Sequence, residues 1–204
     1  MLLDVPRFAR APVIDGRLDD DAWEKAATAD TFYQLSSAHV AAIVSPVRSR
    51  LYLGYTDEAF YVGFYEYDET PEELMIRAKN RDDYVWWEDV IEIFMDTDFD
   101  HLGYAQIGIT SVPVVADNWY PEGFVSDDAS RRWNADYEVS TYVGQDFWSV
   151  EYEVRFVGPQ ITQPNPGSIW GFNPSRTYRN TEYAQWVRMS RAHAPNELGL
   201  LRFE

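Results

Sequence analysis

Strict alternation of apolar and polar residues is the clearest pattern along the chain. Between Trp148 and Phe156 every second residue is aromatic or β-branched, and the residues between them are Ser149, Glu151, Glu153 and Arg155. A period of two residues indicates a β-strand with one buried face and one exposed face. We therefore predict a half-buried strand over this segment.

The same pattern predicts a hairpin and further strands. Leu51, Leu53 and Tyr55 share one face of a strand, Thr56–Ala59 forms a turn, and Phe60–Tyr67 is the returning strand. The other predicted strands are Val90–Met95, Gly103–Thr110, Tyr137–Val143, Ser168–Phe172, Glu182–Val187 and Gly199–Phe203. Many short strands separated by turns favour an all-β fold. We predict a two-sheet antiparallel β-sandwich, jelly-roll-like, with residues 1–204 as a single domain.

Helix signals are confined to two short segments. Thr70–Glu73 has a capping threonine, a proline at the first helical position and a glutamate three residues after the cap. Asp19–Ala27 has acidic residues in its first turn, where their negative charges interact favourably with the helix dipole. These segments predict one or two short helices.

Charge and aromatic content narrow the classes of partner. The net charge is −17, with 17 basic and 34 acidic residues, whereas a nucleic-acid binder must neutralise phosphates. Nucleic acid and membrane surfaces are therefore not expected as partners, and no stretch approaches the roughly 20 apolar residues of a membrane helix. Uncharged saccharides and divalent cations remain compatible. Eight Trp and fourteen Tyr exceed what a core of this size needs, so some rings should lie on the surface.

The sequence carries no recognisable catalytic motif. There is no Cys, and His39, His101 and His193 do not have metal-ligand spacing. A nucleophile elbow, a phosphate-binding loop and an HExxH motif are all missing. The N-terminal residues lack the features of a signal peptide. We predict that the chain is not an enzyme.

Several segments, in order along the whole chain, match one family. They are Pro12–Trp23, Leu51–Phe64, Asp82–Asp96, Trp170–Asn173 with Arg176, Trp186, His193–Pro195 and Leu198–Phe203. Together they resemble the family 9 carbohydrate-binding modules and the wider DOMON-like β-sandwich superfamily.

The resemblance implies a β-sandwich in which two Trp rings clamp a sugar and polar side chains bond its hydroxyls. The matching rings are Trp86 and Trp186. The matching polar residues are Glu92, Gln106, Asn173 and Arg176. The implied function is non-catalytic recognition of a polysaccharide or oligosaccharide by a module of a larger exported protein, such as one carrying a glycoside hydrolase. The implied location is extracellular, periplasmic or on the cell surface.

The residues themselves leave alternatives open. Trp86 and Trp87 are adjacent, so on a strand they would point to opposite faces, and the outward ring either meets a ligand or packs under a loop. Glu92 lies between two isoleucines, and a buried carboxylate is costly unless it is paired. It bonds either a ligand hydroxyl or an arginine, for which Arg155 and Arg176 are the candidates.

Asp96, Asp98 and Asp100 have the spacing of the first ligands of a calcium loop. The EF-hand pattern then fails, because His101 replaces the required Gly and Ile107 replaces the bidentate Glu. The cluster is either a structural calcium site or a solvated acidic turn. Other candidate donors are Asp57, Glu58, Asp68 and Asp128.

Two other functions fit the same fold. The chain could be a docking domain without a small ligand, whose surface rings contact a neighbouring domain. It could instead bind haem for electron transfer, with ligands among Met75, Met95, Met189 and the histidines. Met95 shares a strand face with isoleucines and is more typical of core.

Overall fold

Two β-sheets pack face to face. The computed structural model describes residues 1–35, 41–123 and 130–204, so His39 and Asp128 lie outside the described residues. The described part contains thirteen strands: β1 (Leu2–Val5), β2 (Ala27–Ala29), β3 (Tyr33–Gln34), β4 (Ser49–Tyr55), β5 (Ala59–Tyr67), β6 (Val90–Asp96), β7 (Tyr104–Thr110), β8 (Val115–Tyr120), β9 (Tyr137–Val143), β10 (Phe147–Arg155), β11 (Ile169–Tyr178), β12 (Glu182–Gln185) and β13 (Gly199–Phe203). The predicted β-sandwich is confirmed.

The larger sheet has the order β1-β13-β11-β6-β7-β8, with β12 and β3 added beside β11, and the smaller sheet has the order β2-β4-β5-β10-β9. Neighbouring strands are antiparallel except for β1 and β13, which run parallel. The core lies between the sheets. Alternate residues of β6, such as Ile91, Ile93 and Met95, face Val150 and Tyr152 of β10 within one apolar cluster.

Helical structure is shorter than predicted. The described residues hold three 3₁₀ helices of three residues each, Trp23–Lys25, Pro71–Glu73 and Pro195–Glu197. Thr70 precedes the second one, but its side chain accepts no capping hydrogen bond from the backbone N–H groups of the helix. Among the described residues, no helix is long and apolar enough to cross a membrane.

Strand β11 continues through Pro174, whereas the sequence predicts a strand that ends at Phe172. Proline is tolerated there because the neighbour of β11 changes at this point, from β13 up to Phe172 to β12 from Ser175 onward. The Pro174 carbonyl accepts a hydrogen bond from the Trp186 amide. The extended strand carries polar residues across the outer face of the larger sheet.

The N-terminal loop that contains Asp15 is held by one buried carboxylate. Glu151 of β10 accepts hydrogen bonds from the backbone amides of Asp15, Gly16 and Leu18 at 2.6–3.2 Å and from the Trp23 indole at 2.7 Å. The loop thereby packs on the outer face of the smaller sheet, opposite the candidate site.

Candidate functional site

The outer face of the larger sheet carries a row of polar side chains at its centre. Strand alternation turns Glu92 of β6 and Gln106 of β7 outward while their neighbours enter the core. Glu92 is directly opposite Gly108, and Gln106 is opposite Phe94, so Glu92 and Gln106 are diagonal neighbours on one face. The two residues, both predicted as binding residues, are thus neighbours on the outer face.

Glu92 is 3 % exposed, and its Oε2 accepts a hydrogen bond of 2.6 Å from Gln106 Nε2. The Gln106 Oε1 is in turn bonded by the Tyr120 hydroxyl at 3.1 Å, which fixes the orientation of the amide. Within the described part of the chain, Glu92 has no other hydrogen bond, and neither Arg155 nor Arg176 pairs with it. Burial raises the pKa of the Glu92 carboxyl to about 7, although the Gln106 bond partly opposes the shift.

Trp86 lies over the sheet beside Glu92. A methyl group at Gly108 would fall 2.5 Å from the Trp86 ring, so the ring occupies the space that a side chain at position 108 would take. Its other packing partners are the small apolar residues around Val114 and Ala116. The prediction that Trp86 and Trp87 share a strand is wrong, because both lie in a turn before β6. Trp86 is half-buried, and Trp87 is exposed.

Three carboxylates hold the loop that carries these rings. Glu88 accepts hydrogen bonds from the amides of Arg77 and Ala78, and Asp89 accepts them from Met75 and Arg179. Asp83 caps the amides of Lys79 and Asn80, and these backbone bonds lower its pKa. The segment before the rings is therefore tied to the loop itself and to Arg179, just after β11.

The polar row and the rings form the floor and one wall of a cleft of about 460 Å³. This volume is within the range of sites for small ligands. The lining residues are Leu35, Tyr84, Trp86, Trp87, Glu92, Gln106, Tyr120, Thr177, Asn180, Thr181, Glu182, Tyr183, Ala192 and His193. No Lys or Arg is among these described lining residues. The cleft therefore combines aromatic surface with acidic and amide groups.

Trp186 lies away from this cleft. It is 2 % exposed and belongs to the core between the sheets, where it packs near Phe172 and against Gly199. Side chains on β12 and just after it alternate between faces, and Trp186 takes the inward position next to the outward Gln185. The structure does not bring Trp86 and Trp186 together as two walls of one site.

Asn173 and Arg176 are also buried outside the cleft. Asn173 Oδ1 accepts the Val187 amide at 2.8 Å, and its Nδ2 contacts Met189 Sδ at 2.7 Å, so the side chain ties β11 to the segment after β12. Arg176 points inward and forms an ion pair of 2.8 Å with Glu66 of the opposite sheet. Of the six predicted binding residues, the structure places Trp86, Glu92 and Gln106 in the cleft.

Sequence reasoning missed most of the cleft wall. Tyr183 and Glu182 reach it from β12, and His193 reaches it from the C-terminal loop, where its Nδ1 is 2.7 Å from the Tyr104 hydroxyl. Burial raises the pKa of Tyr183 well above its usual range, and the nearby Glu92 charge adds to this. The aromatic excess of the sequence was a signal for such residues, but it could not say which of them would meet.

The predicted metal residues do come together. Each of Asp96, Asp98 and Asp100 offers a carboxylate oxygen within 4.8 Å of the others. Asp96 is buried, its Oδ2 accepts the His101 amide at 3.0 Å, and its Oδ1 has no hydrogen-bond partner. Burial, with the nearby Asp98 and Asp100 charges, raises the pKa of Asp96 to about 6. An orphaned buried oxygen among carboxylates fits a hard divalent cation such as Ca²⁺, which prefers oxygen ligands.

Four of the side chains considered for haem make contacts within the protein. Met95 lies in the core, as its pattern indicates, and the Met189 sulfur contacts Asn173. His193 contacts the Tyr104 hydroxyl, and His101 packs against Phe99 in the β6–β7 loop.

Comparison with known proteins gives similar structures at low sequence identity. No family model matches the chain, and no curated protein matches it. Two solved structures of a family 9 carbohydrate-binding module from Caldicellulosiruptor kristjanssonii are similar to it, each at 17 % identity. The complex with cellotriose has a TM-score of 0.70 over 100 % of this chain and 94 % of that chain. The complex with glucose has a TM-score of 0.65 over 98 % and 95 %.

A third similar structure comes from Bacteroides uniformis and is described as that of a protein proposed to bind carbohydrate. It is 11 % identical, with a TM-score of 0.71 over 100 % of this chain and 99 % of that chain. At such identities the likeness shows that this chain has the fold of those proteins along its whole length.

Proposed function

We propose that this protein binds a saccharide, without catalysis, in the cleft between Trp86 and the turn after β11. The observation that carries the proposal is the half-buried Trp86 ring next to a buried carboxylate, Glu92, whose partner Gln106 is fixed by further bonds. A pyranose has an apolar face of C–H groups and an edge of hydroxyls. The indole covers the first, and Glu92 and Gln106 satisfy the second.

The electrostatics of the cleft favour an uncharged sugar. Glu92 and Glu182 line it, and Lys and Arg are absent from its described lining. A uronate or sulfate would meet like charge without a compensating cation, at a cost of desolvation. A neutral hydroxyl, in contrast, donates to the free oxygen of Glu92, and hydrogen bonds to a charged acceptor are the stronger kind.

The structural neighbours support the same reading. Two of them are structures of a family 9 carbohydrate-binding module in complex with cellotriose and with glucose. We extend saccharide binding to this chain because its own cleft has the required chemistry. In the same way we propose that the domain serves as a module of a larger exported protein and directs it to polysaccharide.

The test is titration of the protein with glucose and cellotriose, followed by Trp fluorescence and calorimetry. The Trp86→Ala variant should bind at least tenfold more weakly, because Trp is among the residues whose truncation costs most in binding sites. The Trp86→Phe variant keeps a ring over Gly108 and should stay within about threefold of wild type. Unchanged affinity in a folded Trp86→Ala protein would show that the cleft is not the site.

We also propose that Asp96, Asp98 and Asp100 hold a structural calcium ion. The three carboxylates would supply its negative ligands, and water would complete the coordination of six to eight oxygens. The ion would satisfy the orphaned Asp96 Oδ1 and relieve the repulsion among the three charges. Because the loop joins β6 to β7, such an ion would stabilise the two strands that carry Glu92 and Gln106.

A further inference from the structure

The rim of the cleft has a second aromatic surface that the site around Trp86 does not use. Trp87 is 65 % exposed and Tyr84 is 47 % exposed. Their rings meet edge to face, with centroids 5.9 Å apart and an interplanar angle of 80°. Single exposed apolar residues are common on protein surfaces. Two large rings exposed side by side at the mouth of a cleft are more typical of a binding surface.

Contacts on the protein side hold the segment that carries these rings. The loop that carries them is held through Glu88 and Asp89, and the Arg131 guanidinium lies 5.8 Å from the centre of the Tyr84 ring. A ring that is already ordered loses little conformational entropy when a ligand covers it. Trp87 presents an exposed apolar surface one residue farther along the chain than Trp86, supported on one side by the Tyr84 ring.

Polar groups line the same cleft at the turn between β11 and β12. Asn180 and Thr181 belong to this turn, where Arg179 and Asn180 both adopt positive φ angles and the Thr181 amide bonds the Tyr178 carbonyl at 2.9 Å. This tight turn is well defined, so its side chains lie at fixed positions. The mouth of the cleft therefore has aromatic rings and hydrogen-bonding groups. The same two kinds of side chain surround Trp86 and Glu92 deeper in the cleft.

We propose that Trp87, with Tyr84, forms an outer subsite that takes the second sugar residue of an oligosaccharide, while Trp86 and Glu92 take the first. This inference rests on the proposed function, since it extends the same cleft. It makes Trp87 a residue that determines preference for chain length. A monosaccharide fills the inner subsite only, whereas an oligosaccharide gains the additional stacking on Trp87.

The experiment compares glucose with cellotriose by calorimetry on wild type, Trp87→Ala and Trp87→Phe. Wild type should bind cellotriose at least tenfold more tightly than glucose. Trp87→Ala should reduce this ratio to about threefold or less by weakening cellotriose alone, and Trp87→Phe should keep most of the ratio. Because Trp87 is exposed, both variants should melt within a few degrees of wild type.

Each other outcome overturns a defined claim. If wild type binds both sugars equally, or if Trp87→Ala keeps the ratio, the outer subsite does not exist. If Trp87→Ala weakens glucose as much as cellotriose, Trp87 belongs to the inner site and the division is wrong. If wild type binds neither sugar, or if Trp86→Ala binds glucose normally, the proposed function fails, and the subsite fails with it.

Discussion

The chemistry of the cleft is concentrated in the environment of one residue, Glu92. Its carboxyl group is buried on the outer face of a sheet. Among the residues that the structure describes, it has one hydrogen bond, from Gln106, and no ion pair with an arginine. In the absence of ligand the charged form is therefore poorly compensated, and burial raises its pKa to about 7. A sugar hydroxyl would supply the missing hydrogen bond.

The Glu92→Gln variant tests this environment through pH. The folded-state pKa of about 7 exceeds the unfolded value of 4.5, so the stability that Glu92 contributes is present below about pH 4.5 and is lost as pH rises to about 7. Glutamine does not titrate. The free energy of unfolding of the variant, measured by guanidinium denaturation, should therefore rise relative to that of wild type between pH 4.5 and 7. The expected rise is up to about 3 kcal/mol.

Sugar affinity should follow the opposite trend in wild type, rising as Glu92 ionises near pH 7, because the carboxylate is the stronger acceptor. In Glu92→Gln the affinity should be nearly independent of pH over this range. A variant that keeps the wild-type pH dependence of both stability and affinity would show that another group titrates.

Sequence could identify candidate residue types for the cleft but not all of their positions. Glu92 and Gln106 could be assigned because strand alternation gives the face. The positions of Trp186 and Arg176 could not be assigned. A single sequence does not distinguish a Trp that faces the core from a Trp that faces outward. The burial of Arg176 depends on Glu66, 110 residues away, which the local pattern does not reveal.

Among the elements, the N-terminal loop illustrates how a segment without regular structure is held. Four N–H groups converge on the Glu151 carboxylate, including the Trp23 indole. Burial raises the pKa of Glu151, and the four hydrogen bonds oppose that shift. The Glu151 side chain thus holds the Asp15-Gly16 turn and the Trp23 indole next to each other.

Glu151→Ala should lower the free energy of unfolding by about 3 kcal/mol or more, because it leaves several buried donors without an acceptor. Sugar affinity of the folded protein should not change, since the loop lies on the opposite face from the cleft. Glu153→Ala, two residues along the same strand and partly exposed beside Arg155, should cost less than about 1 kcal/mol. Equal losses in the two variants, measured by chemical denaturation, would contradict this account.

Most strands could be predicted from periodicity, and the failures have physical causes. The hairpin of β4 and β5 and strands β6, β7, β9, β10 and β13 match their predictions closely. Strand β8 was missed because Asp117 and Asn118 interrupt its apolar pattern. Both are buried, and Asp117 pairs with Arg81 at 2.5 Å, so tertiary contacts compensate for a weak local signal.

At the scale of the whole molecule, the net charge of −17 opposes the compact state through self-repulsion. Added NaCl should therefore stabilise the protein modestly by screening. The Asp96 cluster predicts an additional and specific effect of calcium, because three of the negative charges converge there.

The melting temperature should rise more in CaCl₂ than in NaCl at matched ionic strength. At a hundredfold excess over Kd the expected gain is about 3 kcal/mol, or roughly 5–10 °C for a chain of this length. Replacing the two exposed ligands in an Asp98→Asn and Asp100→Asn double variant should remove the difference between the salts. No difference in wild type would eliminate the calcium proposal, and a difference retained in the double variant would place the ion elsewhere.

The space above Gly108 makes the proposed binding site sensitive to a substitution that the fold would tolerate. Trp86 lies where a single methyl group would stand, on a face of the sheet that contributes little to the core between the sheets. Mutation from glycine to alanine at this position would displace the ring and leave the sandwich folded. A single substitution could therefore remove the proposed site without first passing through an unstable protein.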